Sequence, residues 1–230
     1  MQKKVALATR LSLHCSFIMQ VLLDDQPLSI DRPTLAAAVR TAQDAARAKG
    51  RILVEAFADG TQISDELLSS PSDEPVAIER LAMRSAEPRS LVSFTLADAA
   101  DALTHVAEDH DRVGRDIQAG KTQIALGKLA ESIATWQAVC DILNKGAALL
   151  HLDLDSLTLP DGDPTPLSGR FTAMLERLGS IRTALEAQDF SALSDILLYD
   201  MAPLARQWSH TLRSIADMVR DGRIGAEAPI

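Results

Sequence analysis

Residues 90–117 read SLVSFTLADAADALTHVAEDHDRVGRDI. In them Val92, Leu96, Ala99, Leu103, Val106, His110, Val113 and Ile117 recur at intervals alternating four and three. A 3.5-residue apolar repeat keeps one stripe of a helix facing a neighbouring helix along its whole length. The repeat returns in Leu126, Leu129, Ile133, Trp136, Cys140, Leu143, Ala147 and Leu150. It returns again in Leu167, Phe171, Met174, Leu178, Ile181 and Leu185. A last stripe holds Leu193, Leu197, Met201, Leu204, Trp208, Leu212, Ile215 and Val219, where two successive fours make it drift. Four consecutive segments on one period predict four helices around one core. Gly120, then Asp161–Pro166 and then Gln188-Asp189 separate them, with Asp189 as an N-cap candidate. Connections this short set neighbouring helices antiparallel. Pro203 falls inside the last helix and predicts either a kink or a restart near Ala202, because proline cannot donate to the carbonyl four residues back.

Upstream the pattern differs. Met19–Leu23 is a short apolar run, Asp24-Asp25 supplies a turn, and Leu28–Ile30 can return antiparallel. Asp31 and Pro33 open a helix carrying Leu35, Val39, Ala42 and Ala46, which Gly50 closes. Arg51–Ala58 reads as a strand, Asp59-Gly60 as a hairpin turn, and Thr61–Ile63 as its partner. Val76–Ser85 reads as a last strand. Hairpin, helix and further strands in that order predict a small β-grasp-like (ubiquitin-like) domain. The expected fold is thus α+β: a leader or upstream extension at 1–18, a small α/β domain at 19–87, an antiparallel four-helix bundle at 88–221, and a flexible tail at 222–230. Lys3 and Lys4 resemble the start of a secretory leader, but Arg10 and His14 interrupt the apolar stretch, so Met19 is the expected natural start.

Composition narrows the function. The chain has 230 residues, 47% of them hydrophobic, enough for a real core. Its net charge of −9 disfavours binding to a phosphate backbone, and eight aromatic residues are too few for a base-stacking platform. Cys15 and Cys140 make neither a disulfide framework nor a cysteine-based zinc site, which suits the cytoplasm. No apolar run is long enough to span a membrane.

Motifs for chemistry are scarce. Gly120-Lys121-Thr122 ends like a phosphate-binding loop, but five residues rather than four separate it from Gly114, and it follows a helix. His105, Glu108, Asp109 and His110 are the candidate metal ligands: His105 and Asp109 share a helix face. A carboxylate-bridged di-iron bundle would need Glu-x-x-His, which the chain lacks. His105 is expected in solvent and His110 on the seam with one hydrogen bond. Asp153, Asp155, Asp161 and Asp163 read as a solvated acidic linker, since Leu157 and Thr158 break the calcium-loop pattern. With aliphatic seams and no nucleophile motif, the chain reads as non-enzymatic and without a cofactor. Trp136 and Trp208 lie on seams, as core packing or as places where a partner helix inserts. Tyr199, the only tyrosine, is expected to pack with its hydroxyl bonded; the other reading makes it a partner contact with Asp200 and Pro203.

The string D-x-x-x-L-x-D-I-L-x-Y-D-x-x-P, from Asp189 to Pro203 and followed by Trp208, resembles the C-terminal helix of a group of uncharacterised bacterial proteins. Those pair a small N-terminal α/β unit with a helical bundle, and the resemblance implies that layout without an activity. Leu197-Leu198-Tyr199-Asp200 is also similar to a Leu-Tyr-Asp segment of flagellar-export chaperones, although theirs lies near the N-terminus with no β-rich domain before it. The leading expectation is a cytoplasmic adaptor that binds protein partners and neither nucleic acid nor membrane. The alternatives are a secretion or flagellar-type chaperone, a small-ligand or metal-binding bundle, and a homodimer that completes the seams with a second copy.

Overall fold

The computed structural model describes residues 19–75, 77–160 and 163–224. The protein is of mixed α+β type, and the chain divides between Ala86 and Glu87 into two compact units. Residues 1–18, expected to be a leader or extension, lie outside the described residues, as do Val76, Asp161, Gly162 and residues 225–230.

In the first unit, β1 (Gln20–Leu23) and β2 (Gln26–Leu28) form an antiparallel hairpin. Asp24 and Asp25 turn it with φ of 50° and 62°, the paired positive values that match strand twist and that aspartate tolerates. Helix α1 (Leu35–Arg47) begins two residues later than Pro33 suggests. The Thr34 hydroxyl accepts the Ala37 N–H at 3.2 Å and so fixes the start. Strands β3 (Ile52–Ala58) and β4 (Thr61–Gln62) flank Asp59-Gly60, again at positive φ. A short helix α2 (Asp65–Ser69), too brief to show a period, precedes β5 (Arg80–Ala86). The sheet order is β2-β1-β5-β3-β4, with β1 and β5 parallel and the other pairs antiparallel. β5 starts at Arg80 rather than at Val76 because the Asp59 carboxylate captures the Arg80 N–H at 2.7 Å and sets the strand's origin. Val21, Leu23, Ala56, Leu81 and Met83 from the sheet form one core with Leu35, Ala38, Val39, Ala42 and Ala46 of α1.

The second unit opens with α3 (Pro88–Gln118). Glu87 caps it by accepting the N–H groups of Arg89 and Ser90, and proline sits at the first turn where its missing N–H costs nothing. α4 (Thr122–Leu149) and α5 (Leu167–Glu186) follow. The last expected helix arrives in three continuous pieces: α6 (Phe190–Asp195), a π-helical stretch (Ile196–Met201) and α7 (Ala202–Arg220). Asp189 caps α6 through the Ala192 N–H at 2.9 Å. The restart at Ala202 places Pro203 in the first turn of α7.

Side-chain pairs give the directions. Ser93 donates to the Ala216 carbonyl, Thr104 meets Ser209, and Ser194 donates to the Gly114 carbonyl, so α3 runs antiparallel to the α6–α7 stretch. His110 meets Trp136 while Val92 lies beside Gly146, so α4 is antiparallel to α3. Phe171 against Trp208 and Arg177 against Asp200 set α5 antiparallel to α7. All eight residues of the α3 stripe are buried.

The α4 stripe needs correction. Its buried line is Ala125, Leu129, Ser132, Trp136, Val139, Leu143, Gly146 and Leu150, while Leu126, Ile133, Cys140 and Ala147 sit half-buried on its flank. Small residues at every seventh position or so let α4 approach α3 closely, and a search for large apolar residues selects the adjacent row instead. Residues 151–157 alternate between exposed and half-buried rather than forming a solvated linker throughout. Asp153 and Asp155 are exposed, whereas Leu152, Leu154 and Leu157 pack on the helical core. Buried Arg170 holds this segment by donating to the carbonyls of Thr165 and Asp163. The expected tail also begins in order: Gly222, at φ 69°, ends α7, the Arg223 N–H returns to the Met218 carbonyl, and Ile224 packs against the core.

Candidate functional site

The best candidate surface centres on the π-helical stretch. Proline at 203 has no N–H for the Tyr199 carbonyl, and its ring would press on that carbonyl in a regular α-helix. The chain widens instead: the Ala202 N–H reaches five residues back, to the Leu197 carbonyl. One extra residue in the turn keeps Leu193, Leu197, Met201 and Ala205 all buried at successive intervals of four. Tyr199 lies midway between Leu197 and Met201 along the helix and therefore points away from the core. It is 72% exposed, which overturns its expected packing.

Pro203, one turn on, is also exposed, and Asp200 is half-buried with its carboxylate 3.8 Å from Arg177 of α5. Between that ion pair and the Phe171–Trp208 ring contact, α5 carries Leu175, itself 47% exposed. Tyr199 and Pro203 thus stand on an outward face bordered by an acidic group. The two tryptophans do not belong to it. Trp208 is buried and meets Phe171 edge-on, with centroids 6.4 Å apart; Trp136 has no exposure at all. Both are core residues.

The metal candidates do not converge. His105 and Glu108 are exposed and Asp109 is half-buried beside Arg112, whereas His110 turns inward. Among the described residues no group of three or more His, Cys, Asp or Glu side chains is placed to hold a metal ion. His110 Nε2 accepts the Trp136 indole N–H at 3.1 Å. Burial pushes its pKa down to about 4, against a smaller opposing pull from Asp109 and Asp111.

Two features escaped sequence reasoning. Gly114 is where α3 meets the π-helical stretch: a Cβ there would lie 2.6 Å from Leu198 Cγ. Its off-stripe position next to Val113 was the available signal. In the first unit, Asp24 accepts both the N–H and the hydroxyl of Ser85, at 2.8 and 2.6 Å, and Arg51 donates to the same hydroxyl and to the Ser85 carbonyl. The Ser85 hydroxyl, more than the nearby Arg51 charge, holds the Asp24 carboxyl below its ordinary pKa. This network ties the β1–β2 turn to the end of β5. No local sequence signal links residues so far apart.

No helix among the described residues is long and apolar enough to cross a membrane. Compared with protein-family models, with curated proteins and with solved structures, the chain matches none.

Proposed function

We propose that this protein is a non-enzymatic adaptor of the cytoplasm, with a β-grasp-like head and an antiparallel four-helix bundle, and that it binds a protein partner through the Tyr199–Pro203 face. The exposure of Tyr199 carries the reading. A tyrosine offers a large amphipathic contact at low entropic cost, and it is placed outward where the chain departs from regular helix. Pro203, one turn on, and the exposed Leu175 of α5 supply apolar area, and Asp200 supplies a charge. The sheet order, with β1 parallel to a central β5, supports the β-grasp reading of the head. The alternating helix directions support the bundle. Buried polar side chains support a binding rather than a catalytic role, since Ser93, Ser194 and Ser209 engage neighbouring helices through their hydroxyls.

The test is affinity capture from native lysate with the full chain and with Tyr199→Ser and Pro203→Ser variants, each checked by circular dichroism. The expected result is a discrete partner retained by the parent protein and lost, at least tenfold, with Tyr199→Ser. Equal capture by folded Tyr199→Ser protein, or no partner for either, overturns the proposal. Capture of a secretion substrate would place the adaptor among export chaperones.

A further inference from the structure

The Trp136–His110 hydrogen bond has a fixed polarity. An indole Nε1 can only donate, so His110 Nε2 accepts, and the imidazole is neutral with its proton on Nδ1. Nδ1 is buried and has no hydrogen-bond partner among the described residues. Both rings are fully buried, and they bridge the C-terminal third of α3 to the middle of α4. The charges that act on His110 are Asp109 and Asp111, both from α3, and Asp111 is itself paired with Arg206 of α7. From α4 the group facing it is the indole N–H. A second proton on His110 would set two N–H donors against each other at 3.1 Å, with no solvent to receive either. The seam therefore accepts a proton only by parting.

We propose that the His110–Trp136 pair is an acid-sensitive latch: the closed α3–α4 seam holds a neutral imidazole, and opening the seam lets that imidazole bind one proton. The sign follows from the two environments. Exposed, the group titrates at the usual 6.5; closed, its value is pushed down to about 4. Above 6.5 neither state takes the proton and the latch holds at full strength. As pH falls from there toward 4, the open state gains a proton that the closed state refuses, and the opening equilibrium rises about tenfold per pH unit. The device is independent of the Tyr199 face.

Hydrogen exchange on the full chain tests it, with rates corrected for the intrinsic pH dependence of exchange. Between pH 6.5 and 4.5, protection of amides in residues 103–117 and 129–143 should fall about 40-fold, since half of the open state is already protonated at the upper pH and the closed state begins to titrate at the lower. Amides in β5 should not follow. In His110→Leu, which has nothing to titrate, the same segments should lose this pH dependence. Constant protection in the parent protein, or an equal fall in His110→Leu, overturns the latch. Should that variant not fold, nitrogen NMR of the parent imidazole decides: the expected spectrum shows Nδ1 protonated and Nε2 bare down to below pH 5. Ordinary titration near 6.5, or a proton on Nε2, overturns it.

Discussion

At single residues, close approach and hydrogen bonding set the sensitivities. A methyl at 114 would fall 2.6 Å from Leu198 Cγ and 3.2 Å from the Ser194 carbonyl. The leucine can swing aside but the carbonyl cannot, and Ser194 would lose its hold on the Gly114 carbonyl as the helices part. Gly114→Ala should therefore cost about 1–3 kcal/mol in urea unfolding, despite alanine's better helix propensity. Adding Leu198→Ala should cost less than the sum of the two single changes. Asp24 gives a pH-dependent case. Its folded pKa is lowered, so its contribution is full above the ordinary carboxylate value near 3.8 and is lost as pH falls through the lower folded value. Asparagine tolerates the positive φ at this position but offers Ser85 one acceptor in place of two. Asp24→Asn should destabilise the first unit by about 1 kcal/mol at pH 7, a figure kept small because the side chain is partly solvated. Thermal melts at pH 7 and pH 2.5 check this, with the difference smaller at the lower pH.

Among the elements, the π-helical stretch is explained by one surplus residue and one proline. Delete Tyr199 on paper and the buried line Leu193, Leu197, Met201, Ala205, Trp208, Leu212, Ile215 and Val219, in which Ala205 takes the place expected for half-buried Leu204, falls at intervals of four and three throughout, the period of the other helices. The proline would then stand inside a regular helix. Deleting Tyr199 alone should thus cost about 3 kcal/mol, whereas the same deletion with Pro203→Ala should recover most of it. Chemical denaturation of the two variants separates them, and near-equal stabilities would contradict this account of the widened turn. The drift in the stripe, two fours in succession next to a proline, was readable in the sequence. Its meaning was not, because a proline inside a helical stripe signals a kink or a restart and not a widened turn, and the apolar neighbours of Tyr199 point to packing. On α3 the 3.5-residue repeat marks the seam correctly, all eight of its positions being buried. It failed on α4, where Ala125, Ser132 and Gly146 take buried places that size and hydropathy assign to Leu126, Ile133 and Ala147. Capping explains the remaining shifts: Thr34 and Asp59 choose where α1 and β5 begin, through hydrogen bonds that a periodicity does not contain.

For the whole molecule, the two cores share no residue: one lies between the sheet and α1, the other among α3 to α7. The hairpin turns, Asp24-Asp25 and Asp59-Gly60, and the change of period near Ser90 made this division legible, while the Asp24–Ser85–Arg51 network that joins the ends of the sheet needed the fold to bring it together. A unit of this first one's size buries proportionately little and holds only a few kcal/mol in reserve. Leu81 is fully buried at the centre of its sheet, on the strand that pairs with both β1 and β3. Leu81→Ala should cost about 2–5 kcal/mol, enough to unfold most of that unit at 37 °C. The helical unit has its own apolar core around Leu103, Trp136, Met174 and Leu212 and should keep its structure. Amide exchange resolved along the chain measures both at once. Protection lost across residues 20–86 and retained across 92–219 is the expected outcome. Simultaneous loss in both would show that the helical unit draws its stability from the first, so that its own seams do not suffice to fold it.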